Sequence, residues 1–326
     1  MPTVDLPGGT VSYRAAGPEG STAPPVVFVH GFLVNGELWT GVADALARHG
    51  VRSYAADWPL GSHATAMKPT ADQTPRGVAG TIIAFLGALD LKDVTLVGND
   101  TGGAVSQFLI DTDHARVGRL VLTNCDAFDT FPPPPFDLLF KAGRSATRLR
   151  ALLAPMRATA VRHSPAGFGM LVDKPLDPEM SRRWVEPCLT DEAVRRDTAR
   201  FLDAVKPAEL LDVSSRLGRF DKPVLLVWGA DDRFFKVELA RRLAGRFSTR
   251  GSSRSRAGRP SCPSTSQTCS PTRSPASRAT GRAPDRPPCA GPRRPPHAGA
   301  LTGPPVSDRT GRRRHRGRQL RMSVAR

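Results

Sequence analysis

The run Leu96-Val97-Gly98-Asn99-Asp100-Thr101-Gly102-Gly103-Ala104 places a carboxylate between glycines where a strand turns into a helix. The residues two before and two after Asp100 have to be small, because so sharp a turn brings backbone segments too close for a side chain. Asp100 then projects from the C-terminal edge of a sheet, as a nucleophile-elbow residue does, with Asp in the place usually held by Ser. Taken alone, the same residues also describe an N-cap whose carboxylate accepts backbone N–H bonds from the helix that follows. Val27-Phe28-Val29-His30-Gly31-Phe32 supplies a second feature, a strand followed by His-Gly. Beside an elbow of this kind, the loop it enters can aim the Phe32 amide, together with the Thr101 amide, at a developing negative charge. His30 itself is expected to be structural, satisfied by nearby backbone. Val227-Trp228-Gly229-Ala230-Asp231-Asp232-Arg233-Phe234 ends another strand with acids just past a glycine, and either acid by itself could be a solvated loop residue.

The three motifs, in this order and on these kinds of element, resemble the α/β-hydrolase superfamily, in which Trp-Gly and, after two intervening residues, an Asp carry the triad acid. Asp232 matches that spacing, with Asp231 as the fallback. The resemblance covers residues 1 to about 247, and Asp57-Trp58-Pro59-Leu60-Gly61 is a fourth landmark. With Asp at the elbow, the chain looks like the haloalkane dehalogenase and epoxide hydrolase branch. This likeness implies that Asp100 attacks an sp3 carbon to form an alkyl-enzyme ester, and that a His-activated water then cleaves the ester over an oxyanion hole. Asp232 would orient the His. No metal or organic cofactor is implied, since that chemistry needs only side chains and water.

The chain departs from both branches. Haloalkane dehalogenases place a Trp after the nucleophile to hold the halide, where this chain has Thr101. Epoxide hydrolases use cap tyrosines to protonate the ring oxygen, and the only tyrosines here are Tyr13 and Tyr54, outside the cap region. Haloacetate dehalogenases, another Asp-nucleophile group, direct attention to His163 and Trp184, although both are expected to be packing or surface residues. The base is absent from its usual place, because the only histidines after Asp232 are His297 and His315. Two functions follow: a hydrolase acting on a small, largely apolar substrate, or a non-catalytic or inactivated homologue.

The elements that must hold these residues form a mostly parallel α/β sheet covered by helices on both faces. Val26-Val27-Phe28-Val29, Val94-Thr95-Leu96-Val97, Leu120-Val121-Leu122 and Val224-Leu225-Leu226-Val227 read as buried strands, with a weaker one over residues 51–56. Helical stretches over 38–48, 77–89, 102–111 and 237–246 alternate with them. Between 127 and 218 no strand is predicted, and Pro132-Pro133-Pro134-Pro135 marks the exit from the sheet. The expected division is therefore core over 1–126, helical cap over 127–218, a shortened second part of the core over 219–247, and a tail over 248–326. Loss of the final strand and helix predicts an open sheet edge.

The formal net charge of +17 suggests nucleic acid or membrane until its location is considered. Residues 247–326 hold eighteen Arg, no Lys and two acids, which leaves +1 for residues 1–246. No helix-turn-helix, zinc or aromatic-platform feature accompanies the arginines, so nucleic-acid binding through the tail is the minor reading. The tail composition predicts disorder. Back-translated with GC-rich codons and read in another frame, residues 256–277 can give a run beginning Gly-Arg-Ala-Thr-Phe-Val-Pro-Leu-Asp-Gln, patterned like a loop and a last amphipathic helix. A shifted frame near residues 247–256 therefore competes with a genuine basic tail. Cys125 and Cys188 are expected as reduced, partly buried thiols. No apolar run of about 18 residues and no secretory leader is visible, so the expected location is cytoplasmic, without membrane contact. Composition does not address the oligomeric state.

Overall fold

The structure, a computed structural model, describes residues 1–172, 174–247 and 322–325. The chain opens with a hairpin, β1 (Thr3–Leu6) and β2 (Gly9–Ala16), and continues through β3 (Val26–Val29), α1 (Thr40–Arg48), β4 (Ser53–Ala56), α2 (Pro75–Ala88), β5 (Val94–Asp100), α3 (Thr101–Thr112) and β6 (Val117–Cys125). Local chemistry sets the boundaries. Helix α2 begins where the Thr74 hydroxyl accepts from the Gly77 amide at 3.0 Å and Pro75 occupies the first turn.

A helical region follows: α4 (Phe136–Ala142), α5 (Ala146–Leu153), α6 (Thr159–Arg162), α7 (Pro178–Thr190), α8 (Glu192–Ala204) and α9 (Pro207–Arg216). Asp191 caps α8, its carboxylate accepting from the Ala193 amide at 2.7 Å. The chain then returns to the sheet through β7 (Val224–Gly229) and α10 (Val237–Ala244). Among the described residues the interval 127–218 contains no strand, only an isolated bridge between Ala127 and Thr130.

The sheet runs in the order β1-β2-β4-β3-β5-β6-β7-β8. Pairings from β4 through β7 are parallel, and the outer ones are antiparallel. The N-terminal hairpin is an addition to the strands read from sequence. It turns at Pro7-Gly8, and Gly9, which opens β2 opposite Leu6, has φ 144° with the position of its missing Cβ 3.1 Å from Met67 Cα. Residues 248–321 and 326, which carry the expected disorder and the shifted frame, lie outside the described residues, as do His297 and His315. Within the same end Met322–Ala325 form β8, antiparallel to β7, so the edge expected to be open is covered.

Between β3 and β5 the order of strands reverses, because the chain crosses from β4 over β3 to reach β5. The crevice beyond the carboxyl ends of strands at such a switch point is where α/β sheets bind ligands. Strands β3, β5 and β6 supply fully buried Val27, Val29, Leu96, Leu120 and Leu122, and α2 and α3 cover them with Ile82, Phe85, Val105 and Phe108. Cys125 and Cys188 are free thiols and fully buried rather than partly so. Among the described residues no helix is long and apolar enough to cross a membrane.

Candidate functional site

Asp100 is the last residue of β5 and the cap position of α3, with φ 54° and ψ −133°. Its side chain makes no capping bond to the helix, so the N-cap alternative does not describe it. Glycines make the turn possible. The position of a missing Cβ on Gly98 lies 2.6 Å from Ser106 Oγ and 2.8 Å from Gly103 Cα, and one on Gly102 would collide with the Val29 and His30 carbonyls. On Gly31 it would fall on the Asp100 carboxylate itself.

The Phe32 amide donates to Asp100 Oδ2 at 3.1 Å. Burial raises the Asp100 pKa to about 6, against the pull of the Thr101 and Phe32 amides, and the negative charge of Asp232 adds a smaller upward push. Both amides expected to flank the elbow residue therefore face its carboxylate.

The loop carrying Phe32 is braced by the 57–61 landmark. Leu33 N donates to the Leu60 carbonyl at 2.9 Å, and Asp57 accepts from the Gly36 amide at 2.9 Å and from Arg14 Nη1 at 2.6 Å. Burial pushes the Asp57 carboxyl up, with Arg14 opposing. His30 is held on both sides. Its Nε2 accepts from the Trp58 amide at 2.8 Å, so Nδ1 carries the proton and donates to the Gly31 carbonyl at 2.9 Å. Burial lowers its pKa to about 4, leaving a neutral imidazole with both nitrogens engaged.

Asp232 lies in the loop after β7. Its Oδ1 accepts from the Phe234 and Phe235 amides, each at 2.8 Å, and its Oδ2 accepts from Asn124 Nδ2 at 2.7 Å. Asn124 Oδ1 accepts from the Gly229 amide at 2.9 Å and so ties β6 to the acid loop. Asp231, the fallback, is exposed. The side chain of Asp232, not that of Asp231, is thus fixed and electrostatically felt at Asp100.

Helix α4 reaches both carboxylate loops. Phe140 packs on Phe32 with ring centroids 5.1 Å apart, and Phe136 meets Phe234 edge to face at 5.0 Å. The residues whose amides hold Asp100 and Asp232 are therefore each in aromatic contact with the helical region. His163 and Trp184 bond and pack elsewhere. His163 Nε2 meets Ser181 Oγ at 2.9 Å, and Trp184 packs edge to face on Phe168. Among the described residues no histidine is hydrogen-bonded or ion-paired to Asp100 or Asp232.

Two residues of this site escaped the sequence reading. Asn124 joins Asp232 to Gly229, and its φ of 26° belongs to a bend at the end of β6. Asp126, two residues on, is completely buried, and neither of its carboxyl oxygens meets a donor at full geometry. An Asn and an Asp clustered at the carboxyl end of a predicted central strand was the signal available. Among the described residues no cluster of three His, Cys, Asp or Glu could hold a metal ion.

A family model described as alpha/beta hydrolase fold matches residues 24–258. The chain is 27% identical over 232 residues to a 2-hydroxy-6-oxononadienedioate/2-hydroxy-6-oxononatrienedioate hydrolase of Dechloromonas aromatica, covering 69% of this chain and 76% of that one. It is 32% identical over 119 residues to a haloalkane dehalogenase of Agrobacterium fabrum, covering 35% of this chain and 38% of that one. Among solved structures, an alpha/beta hydrolase fold protein from Burkholderia ambifaria superposes with a TM-score of 0.61 at 23% identity, covering 77% of this chain and 87% of that one.

Proposed function

Because the chain belongs to the alpha/beta hydrolase fold family, we propose that it is a hydrolase in which Asp100 is the nucleophile, acting on a small, largely apolar substrate through an alkyl-enzyme ester. One observation carries this reading: the Asp100 carboxylate stands at a glycine-lined strand-to-helix turn, free of any capping bond, with the Phe32 amide on Oδ2. Asp100 Oδ attacks an sp3 carbon, the C–O bond forms, and the leaving group departs with its electron pair. When water later attacks the ester carbonyl, the amides of Phe32 and Thr101 face the oxygen that becomes negative. Asp232, fixed by Asn124 and by the Phe234 and Phe235 amides, is the acid that would orient and charge-stabilise an imidazole base. Phe136 and Phe140 give the site an apolar, aromatic cover, which favours an apolar substrate. The haloalkane dehalogenase among the relatives is in keeping with an Asp nucleophile.

The lack of an imidazole bonded to either acid among the described residues favours a second reading, a homologue that binds its ligand without turning it over. A panel of small haloalkanes, epoxides and esters assayed with the parent and Asp100→Ala separates the two. Turnover by the parent that disappears in the variant is expected. Equal rates in both, or none in either, sink the catalytic assignment. Sequencing the gene across the codons for residues 245–282 complements this, because a restored frame would replace the residues that contain His297 and His315.

A further inference from the structure

From Leu138 to Val172 the chain has one Lys, five Arg and no acid, so the remainder of residues 1–246 is net negative. The positive charge of the folded body is therefore gathered on the first part of the helical region. Arg162 is buried there, its guanidinium donating to the Met156, Arg157 and Pro178 carbonyls. Lys141 pairs with Asp137 at 3.2 Å and Arg144 with Asp203 at 3.7 Å. Arg148, Arg150 and Arg157 are exposed, and among the described residues none of them is ion-paired.

The same stretch holds four of the eight large hydrophobic side chains that stand exposed among the described residues, Leu138, Leu152, Leu171 and Val172, so bare apolar surface is concentrated where the charge is. On α5, Leu149 and Leu153 are buried, which leaves Arg148, Ala151 and Leu152, spaced three and four residues apart, on the outward side. With Ala142 of α4 they line a hollow of about 350 Å³. Leu138 lies one turn before Ala142 on α4 and is 66% exposed. The inner side of α4 is already occupied, because Phe136 and Phe140 pack on Phe234 and Phe32. An aliphatic surface set among arginines, with no acid in the stretch, has the chemistry of a segment that lies in the boundary of an anionic bilayer. Leucines enter the acyl region there, arginine stems run alongside them, and the guanidiniums stay with the phosphates. An acidic polypeptide would answer the arginines alone, whereas lipid supplies both partners.

We propose that the outward side of α4 and α5 is a docking surface for an anionic lipid layer, with Leu138 and Leu152 among the acyl chains and Arg148 among the phosphates. This departs from the expectation of no membrane contact, which followed from the lack of an apolar run of about 18 residues; a surface site needs no such run. Docking stands apart from the role of Asp100, and it would hold α4, whose inner rings cover both carboxylate loops, at the lipid boundary.

All four tryptophans are buried, so an indole introduced on the surface reports alone. Leu152→Trp in the full chain is mixed with vesicles of dibrominated phosphatidylcholine and phosphatidylglycerol, in which bromine quenches an indole that reaches the acyl chains. Its emission is expected to fall about twofold, to change little on brominated phosphatidylcholine alone, and to recover in about 1 M salt. Arg148→Glu in the same background should restore most of the emission. Leu211→Trp, on α9 between Glu209 and Asp212, should stay unquenched. That control is needed because the arginines of residues 247–326 can by themselves draw the chain to anionic vesicles. Vesicle binding with both introduced tryptophans unquenched, or both quenched alike, overturns the proposal, as does equal quenching on neutral vesicles or no vesicle binding at all. Polyglutamate that shifts the Leu152→Trp emission where vesicles do not would assign the surface to an acidic protein and overturn it as well. None of these outcomes touches the catalytic reading, which the Asp100→Ala comparison tests separately.

Discussion

The turn after β5 and the loop after β7 each present an acid at the same edge of the sheet, yet they treat it in opposite ways. Asp232 receives three well-formed hydrogen bonds, two from amides and one from Asn124. Asp100 receives one, from Phe32, and its proton affinity is raised until it titrates at about 6. A carboxylate with its lone pairs occupied is fixed and chemically quiet, while one that is desolvated and under-bonded keeps an oxygen free to react. The contrast supports the proposed division, attack by Asp100 and a supporting electrostatic role for Asp232.

The largest effect should come from removing the under-bonded acid. Asp100→Asn is expected to lower turnover by roughly three orders of magnitude or more. It should also raise the melting temperature at pH 8. The folded pKa of Asp100 lies above the ordinary carboxylate value, so its ionisation is disfavoured by folding. Stability from this group is full at low pH, is lost as pH rises from the ordinary range through about 6, and stays lost above. The amide variant escapes that loss, worth on the order of 1–3 kcal/mol. Unchanged or lower stability at pH 8 would break the contrast with Asp232.

Next in size is the pH profile of the parent. Because the ionised carboxylate is the attacking form, kcat/KM should fall about tenfold per pH unit below roughly 6. A profile flat down to pH 4.5 would mean that the enclosure does not shift Asp100. A smaller effect is expected from the well-bonded acid's anchor. Asn124→Leu strands a carboxylate oxygen of Asp232 and the Gly229 amide, and should cost about 1–3 kcal/mol in denaturant unfolding. The smallest belongs to exposed Asp231: Asp231→Asn should leave stability within about 0.5 kcal/mol and turnover unchanged. Exchange of these last two results would move the supporting role to Asp231.

The placement of Asp100, Phe32, Thr101 and Asp232 was legible because each sits within a few residues of a strand end, where short motifs dictate backbone geometry. The interval 127–218 was legible as helical from its lack of β-branched runs and its proline boundary. Asn124 and Asp126 were not, because an Asn and an Asp at the end of a strand carry no motif that tells what they meet. Their meaning comes from Gly229, Asp232 and Gln107, residues brought near only by folding. The N-terminal hairpin escaped for a different reason. Thr3–Leu6 is four residues long and gives too little alternation to read, although Pro7-Gly8 marked its turn.

The conformation of Asp100 has a mechanical consequence. A non-glycine residue at φ 54° and ψ −133° is out of its comfortable range by about 1–3 kcal/mol and remains there only because its surroundings allow nothing else. Gly31, Gly98, Gly102 and Gly103 are the jaws of that clamp, each so close to its neighbour that a methyl group has no room. The elbow therefore behaves as a wound spring whose catch is core packing. Substitutions that loosen β5 against α3 should let the turn unwind and swing the carboxylate off the Phe32 amide while the rest of the fold stays intact. In such variants activity would disappear at lower temperature than the folded state does.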